Sequence, residues 1–431
     1  MIKFIINGGK KLNGTIEVKG AKNAALILFA ASLLTRKLVK LTNVPEVEDI
    51  SRMSELLRGL GVKVEHVKHG EYHITADNVN SAVINPEIAK KLRASIVLTG
   101  PLLARMGRAV FPHPGGCVIG ERPIDVFVDG FRAMGAKFSD SNGLYEVSVN
   151  KPRCSGRGLD TLSSGLKGNN FVFHNVSVTG TETMIMTAVL AKGTTILKNC
   201  ACEPEIESLA NFLVQCGAKI KGAGTHTIVI NGVSDLKGGT CRTIPDRIEA
   251  GSFALLAAAS GSSVKIKNCE PNHLDSLLGL LKKAGVNVKT GSSSIEVNPS
   301  DRIQALGIKT REYPGFPTDL QAPLCVLLTQ AEGQALIHET IYEGRLAWTE
   351  ELKRMGADVL NLDPHRIQIK GPTKLRGREI ESPDIRAGMA YIIAALCAEG
   401  ESVINNVYQI DRGYEKIEER LQKIGADIKR I

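Results

Sequence analysis

The stretch Leu274-Asp275-Ser276-Leu277-Leu278-Gly279-Leu280-Leu281-Lys282-Lys283-Ala284-Gly285-Val286-Asn287-Val288-Lys289 reads as a helix, a stop and a strand. Leu274, Leu277, Leu278 and Leu281 recur at steps of three and four, the period of a helix with one apolar face. Gly285 stands where a left-handed residue ends a helix. The same unit occurs six times, with its glycine at 61, 135, 217, 285, 356 and 425. The spacings are 74, 82, 68, 71 and 69 residues, so the chain is a repeat of about seventy residues. The other helix faces are Met53, Leu56, Leu57, Leu60; Phe127, Phe131, Met134; Leu209, Phe212, Leu213, Cys216; Trp348, Leu352, Met355; and Ile417, Leu421, Ile424.

Upstream of this helix, most units carry a second one that is apolar on nearly every side. Ala24–Leu34, Met184–Leu190, Phe253–Ala259, Ala322–Leu328 and Ala387–Cys397 are the instances. A helix without a polar face belongs inside a domain. A glycine often follows it (193, 261, 333, 400), then a strand that closes on Asn43, Asn199, Asn268 or Asn406. Three such units wrap their inner helices in sheet, and six units make two pseudo-threefold α/β domains. The longest spacing holds an insertion near 151–170 of loop composition.

The 431 residues are too many for one ordinary core. Hydrophobic residues at 43% and charged residues at 23% exclude disorder. The longest apolar runs are about half of what spans a bilayer, so no membrane segment is expected. The N-terminus lacks the pattern of a signal peptide, and the nine cysteines sit mostly in apolar settings, which together point to a reducing cytoplasm. The net charge of +9 is dispersed and aromatic residues are 4%, which suits small anionic substrates better than nucleic acid. His66, His69 and His73 have a loose metal-like spacing but alternate as in an exposed hairpin, and Cys200-x-Cys202 is too isolated for zinc. No metal or organic cofactor is called for. No coiled coil or exposed apolar strand demands a partner, so a monomer is expected.

The inner helices begin at polar or charged residues: Lys22, Arg93, Thr179 to Thr181, Arg247, Asp319 and Arg386. Helix N-termini offer free N–H groups and a positive dipole end, so cations placed there favour anions. The alternative is pairing with acids at domain edges. In Pro114–Asp125, glycines flank Cys117 and Arg122 supplies charge, a setting that can lower a thiol pKa; an idle loop thiol is the alternative. Asp319 in Tyr313–Gln321 is either a helix cap or a general base. Arg412, in Asp411-Arg412-Gly413-Tyr414-Glu415, is read as lying just before a helix, again an anion position.

Taken in order and spacing, several motifs resemble the UDP-N-acetylglucosamine 1-carboxyvinyltransferase family, within the EPSP synthase superfamily. They are Gly20-Ala21-Lys22-Asn23-Ala24-Ala25, Leu92-Arg93-Ala94-Ser95, the Pro114–Asp125 loop, Glu203-Pro204-Glu205-Ile206, Pro245-Asp246-Arg247-Ile248-Glu249, Phe316-Pro317-Thr318-Asp319 and Ile410-Asp411-Arg412-Gly413-Tyr414-Glu415. The resemblance covers nearly the whole chain. It implies two inverse α/β barrels of three repeats each, with the active site between them. One domain would combine residues 1–21 with 245–431, and the other would be 22–244, bearing the Cys loop.

The resemblance further implies transfer of the enolpyruvyl group of phosphoenolpyruvate to the 3-hydroxyl of UDP-N-acetylglucosamine. This is the first committed step of peptidoglycan precursor synthesis. Lys22, Asn23, Arg122 and Arg412 would hold phosphoenolpyruvate. Arg93, Arg122, Pro123, Ile124, Asp125, Val126, Asn175, Val176, Ser177, Val178, Asp319 and Ile341 would contact the UDP-sugar. Asp319 would be the base and Cys117 the acid, with Lys22 and Arg412 also catalytic and Arg247, Arg345 and Arg386 supporting. The chain departs from the family at Asn175, where a Lys is frequent, at Thr179, at Glu121, at Pro323 and in the 151–170 insertion. Competing readings are an enolpyruvyl transferase with another acceptor, an inactive paralogue, and a six-repeat clamp around DNA. A clamp would need a basic channel and no Cys loop.

Overall fold

The computed structural model describes residues 2–115, 123–141, 143–149 and 165–431. The chain forms two compact units. One joins the segment up to Lys19 with Pro245–Ile431, and the other comprises the described residues between Gly20 and Ile244.

The six glycines that end the outer helices all adopt positive φ, between 88° and 107°. A side chain there would be strained, which is why this position punctuates every repeat. The inner helices are α1 (Lys22–Ala31), α2 (Thr99–Met106), α3 (Val178–Ala188), α4 (Arg247–Ala259), α5 (Gln321–Gln330) and α6 (Ile385–Cys397). In α6 all residues from Ile385 to Leu396 are buried, as a helix without a polar face requires. For α2 the sequence reading places the start of the inner segment at Arg93 but gives no apolar run for its body. That segment opens as a 3-10 turn, Arg93–Leu98, and the two α turns that follow contain Gly100 and Pro101, so no long apolar helix shows.

Among the described residues there are six small sheets. In five of them the strand after the inner helix takes a parallel neighbour on one side and an antiparallel one on the other. Ser263–Lys267, for example, pairs parallel with Asn13–Glu17 and antiparallel with Ser294–Asn298. In the three-stranded sheet Arg108–Pro112 pairs antiparallel with Leu144–Ser148 and meets Val83 in a single parallel bridge. In the last repeat the N-terminal strand Phe4–Asn7 supplies the antiparallel partner of Glu401–Asn405. In the first repeat the parallel partner of Val39–Thr42 is the distant Gly239–Arg242.

The four asparagines that close strands share one conformation, with φ of 54–57°. Asparagine tolerates this left-handed region better than most residues. Each side-chain amide donates to a carbonyl on or just past the parallel neighbour. Asn43 reaches Thr243, Asn199 reaches Phe173, Asn268 reaches Val18 and Asn406 reaches Ser382, at 2.6–3.0 Å. The amide thus locks one strand end to the next in four repeats.

Each unit has its own core. In the unit containing Pro245–Ile431 the three inner helices pack on one another. The Tyr391 hydroxyl donates to the Trp348 carbonyl at 2.9 Å, and the two rings meet edge to face. In the other unit α2 packs on α3 and on the 3-10 turn Ser32–Leu34 that ends α1. No helix among the described residues is long and apolar enough to cross a membrane.

Candidate active-site residues

In the unit containing Pro245–Ile431, Asp319 lies in the 3-10 turn Thr318–Leu320 that leads into α5. Two buried arginines converge on it. Arg345 Nη2 donates to Oδ1 at 2.7 Å, and Arg386 donates to Oδ2 from Nε at 2.9 Å, with Nη2 at 2.8 Å. Burial alone would raise the Asp319 pKa. The charges of Arg386 and Arg345 and their hydrogen bonds overcome that and hold it far below the usual carboxylate range. The arginines are fixed in turn. Arg345 Nη1 donates to Thr318 Oγ1 at 3.1 Å, and Arg386 Nη1 reaches the Tyr414 hydroxyl at 3.4 Å, which is 3.2 Å from Ser252 Oγ.

The N-termini of α4 and α6 differ from the sequence expectation. Asp246 accepts from the amides of Ile248 and Glu249, and Asp384 accepts from those of Arg386 and Ala387. These caps satisfy the orphan N–H groups and place an acid at the dipole end. Arg247 and Arg386 therefore do not stand on helix ends open to an anion. Arg386 turns to Asp319, and Arg247 lies 5.4 Å from the Tyr313 ring centroid. Glu249 in the same turn accepts from both Nη groups of Arg420 at 2.6 and 2.9 Å and from the Lys19 amide at 2.8 Å. Arg412 also differs from expectation. It follows the short helix Tyr408–Asp411, and the next helix starts only at Ile417, so it is no N-terminal residue. Its Nη1 donates to Gln409 Oε1 at 3.0 Å.

In the other unit Lys22 is the first residue of α1, and neither it nor Ala21 is capped by a side chain. Lys22 Nζ contacts Asp49 Oδ2 at 2.8 Å, both residues being buried, while Asn23 is exposed. Arg93 Nη1 donates to the Pro114 carbonyl at 3.0 Å. The adjoining Gly115 is needed because a Cβ there would lie 1.6 Å from the Lys90 carbonyl oxygen. Arg93 thus anchors the described foot of the Cys loop. Pro123 is exposed, Ile124 is buried, and Asp125 and Val126 open the helix Asp125–Ala133. Asn175 is exposed, Val176 and Val178 are half-buried, and Ser177 caps α3 by accepting from the Gly180 amide at 3.1 Å.

The profile of the EPSP synthase (3-phosphoshikimate 1-carboxyvinyltransferase) family matches residues 6–421. The chain is 43% identical over 435 residues to the UDP-N-acetylglucosamine 1-carboxyvinyltransferase of Koribacter versatilis, covering 100% of this chain and 97% of that one. It is 44% identical over 431 residues to the enzyme of the same name from Halothermothrix orenii, covering all of both. The chain belongs to the UDP-N-acetylglucosamine 1-carboxyvinyltransferase family. Its backbone is also similar to that of the enolpyruvyl transferase NikO from Streptomyces tendae, with a TM-score of 0.88 at 21% identity, covering 100% of this chain and 99% of that one. That likeness bears on the fold, which is the two-unit α/β architecture of repeats.

Within this 1-carboxyvinyltransferase chain, Asp319, Arg345 and Arg386 meet in one cluster, and Ile341 lies near it through Glu339, described below. Lys22, Arg93, Asn175 and Ser177 hold the positions given above in the other unit. Cys117 and Arg122, with Glu121 and nearly all of the insertion, lie outside the described residues. Sequence reasoning missed Asp49, which reads as a helix-start acid, and Glu339. The seven described cysteines are free. Burial pushes Cys200 and Cys397 up to about 12 and Cys216, Cys241 and Cys269 up to about 11. Pro323 falls in the first turn of α5, where its missing N–H leaves no gap in the helix. The histidine-rich segment forms the hairpin Lys63–Lys68 with Glu71–Thr75, where His66 stacks on Tyr72 and pairs with Glu46 at 2.9 Å.

Proposed function

We propose that the chain transfers the enolpyruvyl group of phosphoenolpyruvate to the 3-hydroxyl of UDP-N-acetylglucosamine, releasing phosphate, as the first committed step of peptidoglycan precursor synthesis. The observation that carries this reading is full-length identity of 42–44% to relatives that all bear this enzyme name. The sugar oxygen attacks C2 of phosphoenolpyruvate while C3 gains a proton. The tetrahedral ketal then loses phosphate from C2 and a proton from C3, which restores the double bond.

Asp319 takes the proton of the attacking hydroxyl, and Cys117 supplies the proton to C3. A carboxylate paired with two arginines is a weak base. Phosphate or carboxylate groups of the substrates share the same guanidinium groups, and their negative charge beside Arg345 and Arg386 raises the Asp319 pKa toward its ordinary value while the arginines keep their seats. The base thereby gains strength only when substrate anions are present. Lys22, Asn23, Arg122 and Arg412 hold phosphoenolpyruvate. Arg93, Pro123, Ile124, Asp125, Val126, Asn175, Val176, Ser177, Val178 and Ile341 take the UDP-sugar. The protein acts as a monomer in the cytoplasm, on small molecules and not on nucleic acid.

The test is phosphate release from phosphoenolpyruvate with UDP-N-acetylglucosamine, with shikimate 3-phosphate, and with neither. Release with the UDP-sugar alone supports the reading. Release with shikimate 3-phosphate, or with neither acceptor, contradicts it.

A further inference from the structure

Glu339 occupies the place in the fifth repeat that asparagine holds in four others. It follows the strand Gly333–His338 directly, 71 residues after Asn268 and 67 before Asn406. It does not share the left-handed backbone of those asparagines. Nor is it needed for their task, because Thr340 Oγ1 donates to the Thr310 carbonyl at 2.6 Å and ties the parallel strands instead.

A carboxylate that is 0% exposed is costly unless donors surround it. Glu339 has four. Oε1 accepts from Thr310 Oγ1 at 3.0 Å and from the amides of Ile341 and Tyr342 at 2.8 and 3.3 Å. Oε2 accepts from Thr318 Oγ1 at 2.8 Å. With its proton given to Glu339, the Thr318 oxygen faces Arg345 Nη1 as an acceptor at 3.1 Å. The other arm of Arg345 then rests on Asp319 Oδ1 at 2.7 Å. One carboxylate therefore orients the arginine on Asp319 and pins the backbone that carries Ile341.

We infer that Glu339 is a positioning residue for the reaction: it sets Asp319 through Thr318 and Arg345, and sets the Ile341–Tyr342 segment through its second oxygen. This rests on the reading of Asp319 as the base. Glu339→Gln keeps one accepting oxygen for the Ile341 and Tyr342 amides but presents an NH₂ to Thr318. The threonine hydrogen must then turn away and find another acceptor, and its oxygen faces two donors at once, which weakens the seat of Arg345.

Misplacement of a reacting group by about an ångström can cost roughly a hundredfold in rate. The expected result for Glu339→Gln is a kcat lower by about 10- to 100-fold, with KM for UDP-N-acetylglucosamine changed by no more than about threefold. Thr318→Val should lose kcat to a similar degree. The double variant should be no worse than Thr318→Val alone, since both act through one contact. Losses that multiply in the double variant, or kcat at the wild-type value in Glu339→Gln, would overturn the inference. A wild type without turnover would contradict the functional reading instead. The crystal structure of Glu339→Gln reads the inference without turnover: Arg345 displaced from Asp319 Oδ1 supports it, and the wild-type contact retained overturns it.

Discussion

The inner helices begin in two different ways. At α3, α4 and α6 the chain caps its own N-terminus, with Ser177, Asp246 and Asp384. At α1, at the 3-10 turn before α2 and at the turn before α5, no side chain caps the first N–H groups. The uncapped starts carry Lys22, Arg93 and Asp319. Two of the capped starts carry Arg247 and Arg386, which turn to neighbouring side chains. In this repeated fold the same structural position is thus closed by a cap in some copies and left uncapped in others, and under the proposed function the uncapped copies carry Lys22, Arg93 and Asp319. Variants at the uncapped starts should change turnover, and variants at the capped starts should change stability.

Asp319→Asn should have the largest effect. Loss of a general base lowers kcat by about 10²–10⁴, read as phosphate release. Stability should fall too, because Arg345 and Arg386 lose their counterion while buried. The sign with pH follows from the depressed carboxyl. Its ion pairs stabilise the fold above the ordinary aspartate pKa, and that contribution is lost only as pH drops below about 4. The difference in melting temperature between wild type and Asp319→Asn should be flat around neutrality and shrink in acid. A difference that vanishes near pH 6 would break the comparison.

Glu249→Gln tests a capped start. It leaves Arg420 buried without its charge partner, and breaking such a pair costs about 3–5 kcal/mol. Denaturant unfolding should show that loss, and an unchanged midpoint would contradict it. Asp384→Ala should cost less, about 0.5–2 kcal/mol for a lost cap, with Asp384→Ser recovering most of it. Equal stability of the alanine and serine variants would mean that the cap contributes nothing.

Cys117→Asp sharpens the comparison from the chemical side. It retains an acid and should keep much of the turnover while abolishing covalent inactivation by the epoxide fosfomycin. The described thiols support selectivity, since burial keeps Cys200, Cys216, Cys241, Cys269 and Cys397 protonated at neutral pH. Mass spectrometry of the treated protein should show no adduct on the variant. An adduct there would place the target elsewhere.

Much of this fold was legible because its signals are local. A glycine after a helical face, as at Gly285, has one conformational use, and an inner helix such as Ala387–Cys397 has no polar side to expose. The second inner helix showed only its start at Arg93, because Gly100 and Pro101 interrupt its apolar run. Candidate site residues could be named where a motif carries them, as with Lys22 and Asp319. Their partners could not, because pairing is decided across the fold. Asp246 and Asp384 sit beside Arg247 and Arg386 in sequence, yet only the structure shows the acids capping helices and Arg386 reaching Asp319. Arg412 was misplaced because the short helix Tyr408–Asp411 has too few residues to show a period. Glu339 had a signal, the break in the series Asn43, Asn199, Asn268, Asn406, but its meaning needed the four donors around it.

The proposed reaction is tested most directly by the mass of the nucleotide sugar after incubation with the protein and phosphoenolpyruvate. The expected product is UDP-N-acetylglucosamine carrying an enolpyruvyl ether on its 3-oxygen, with the nucleotide intact and one phosphate released per product. An unmodified UDP-sugar recovered from folded, wild-type protein, or cleavage of the nucleotide, would contradict it.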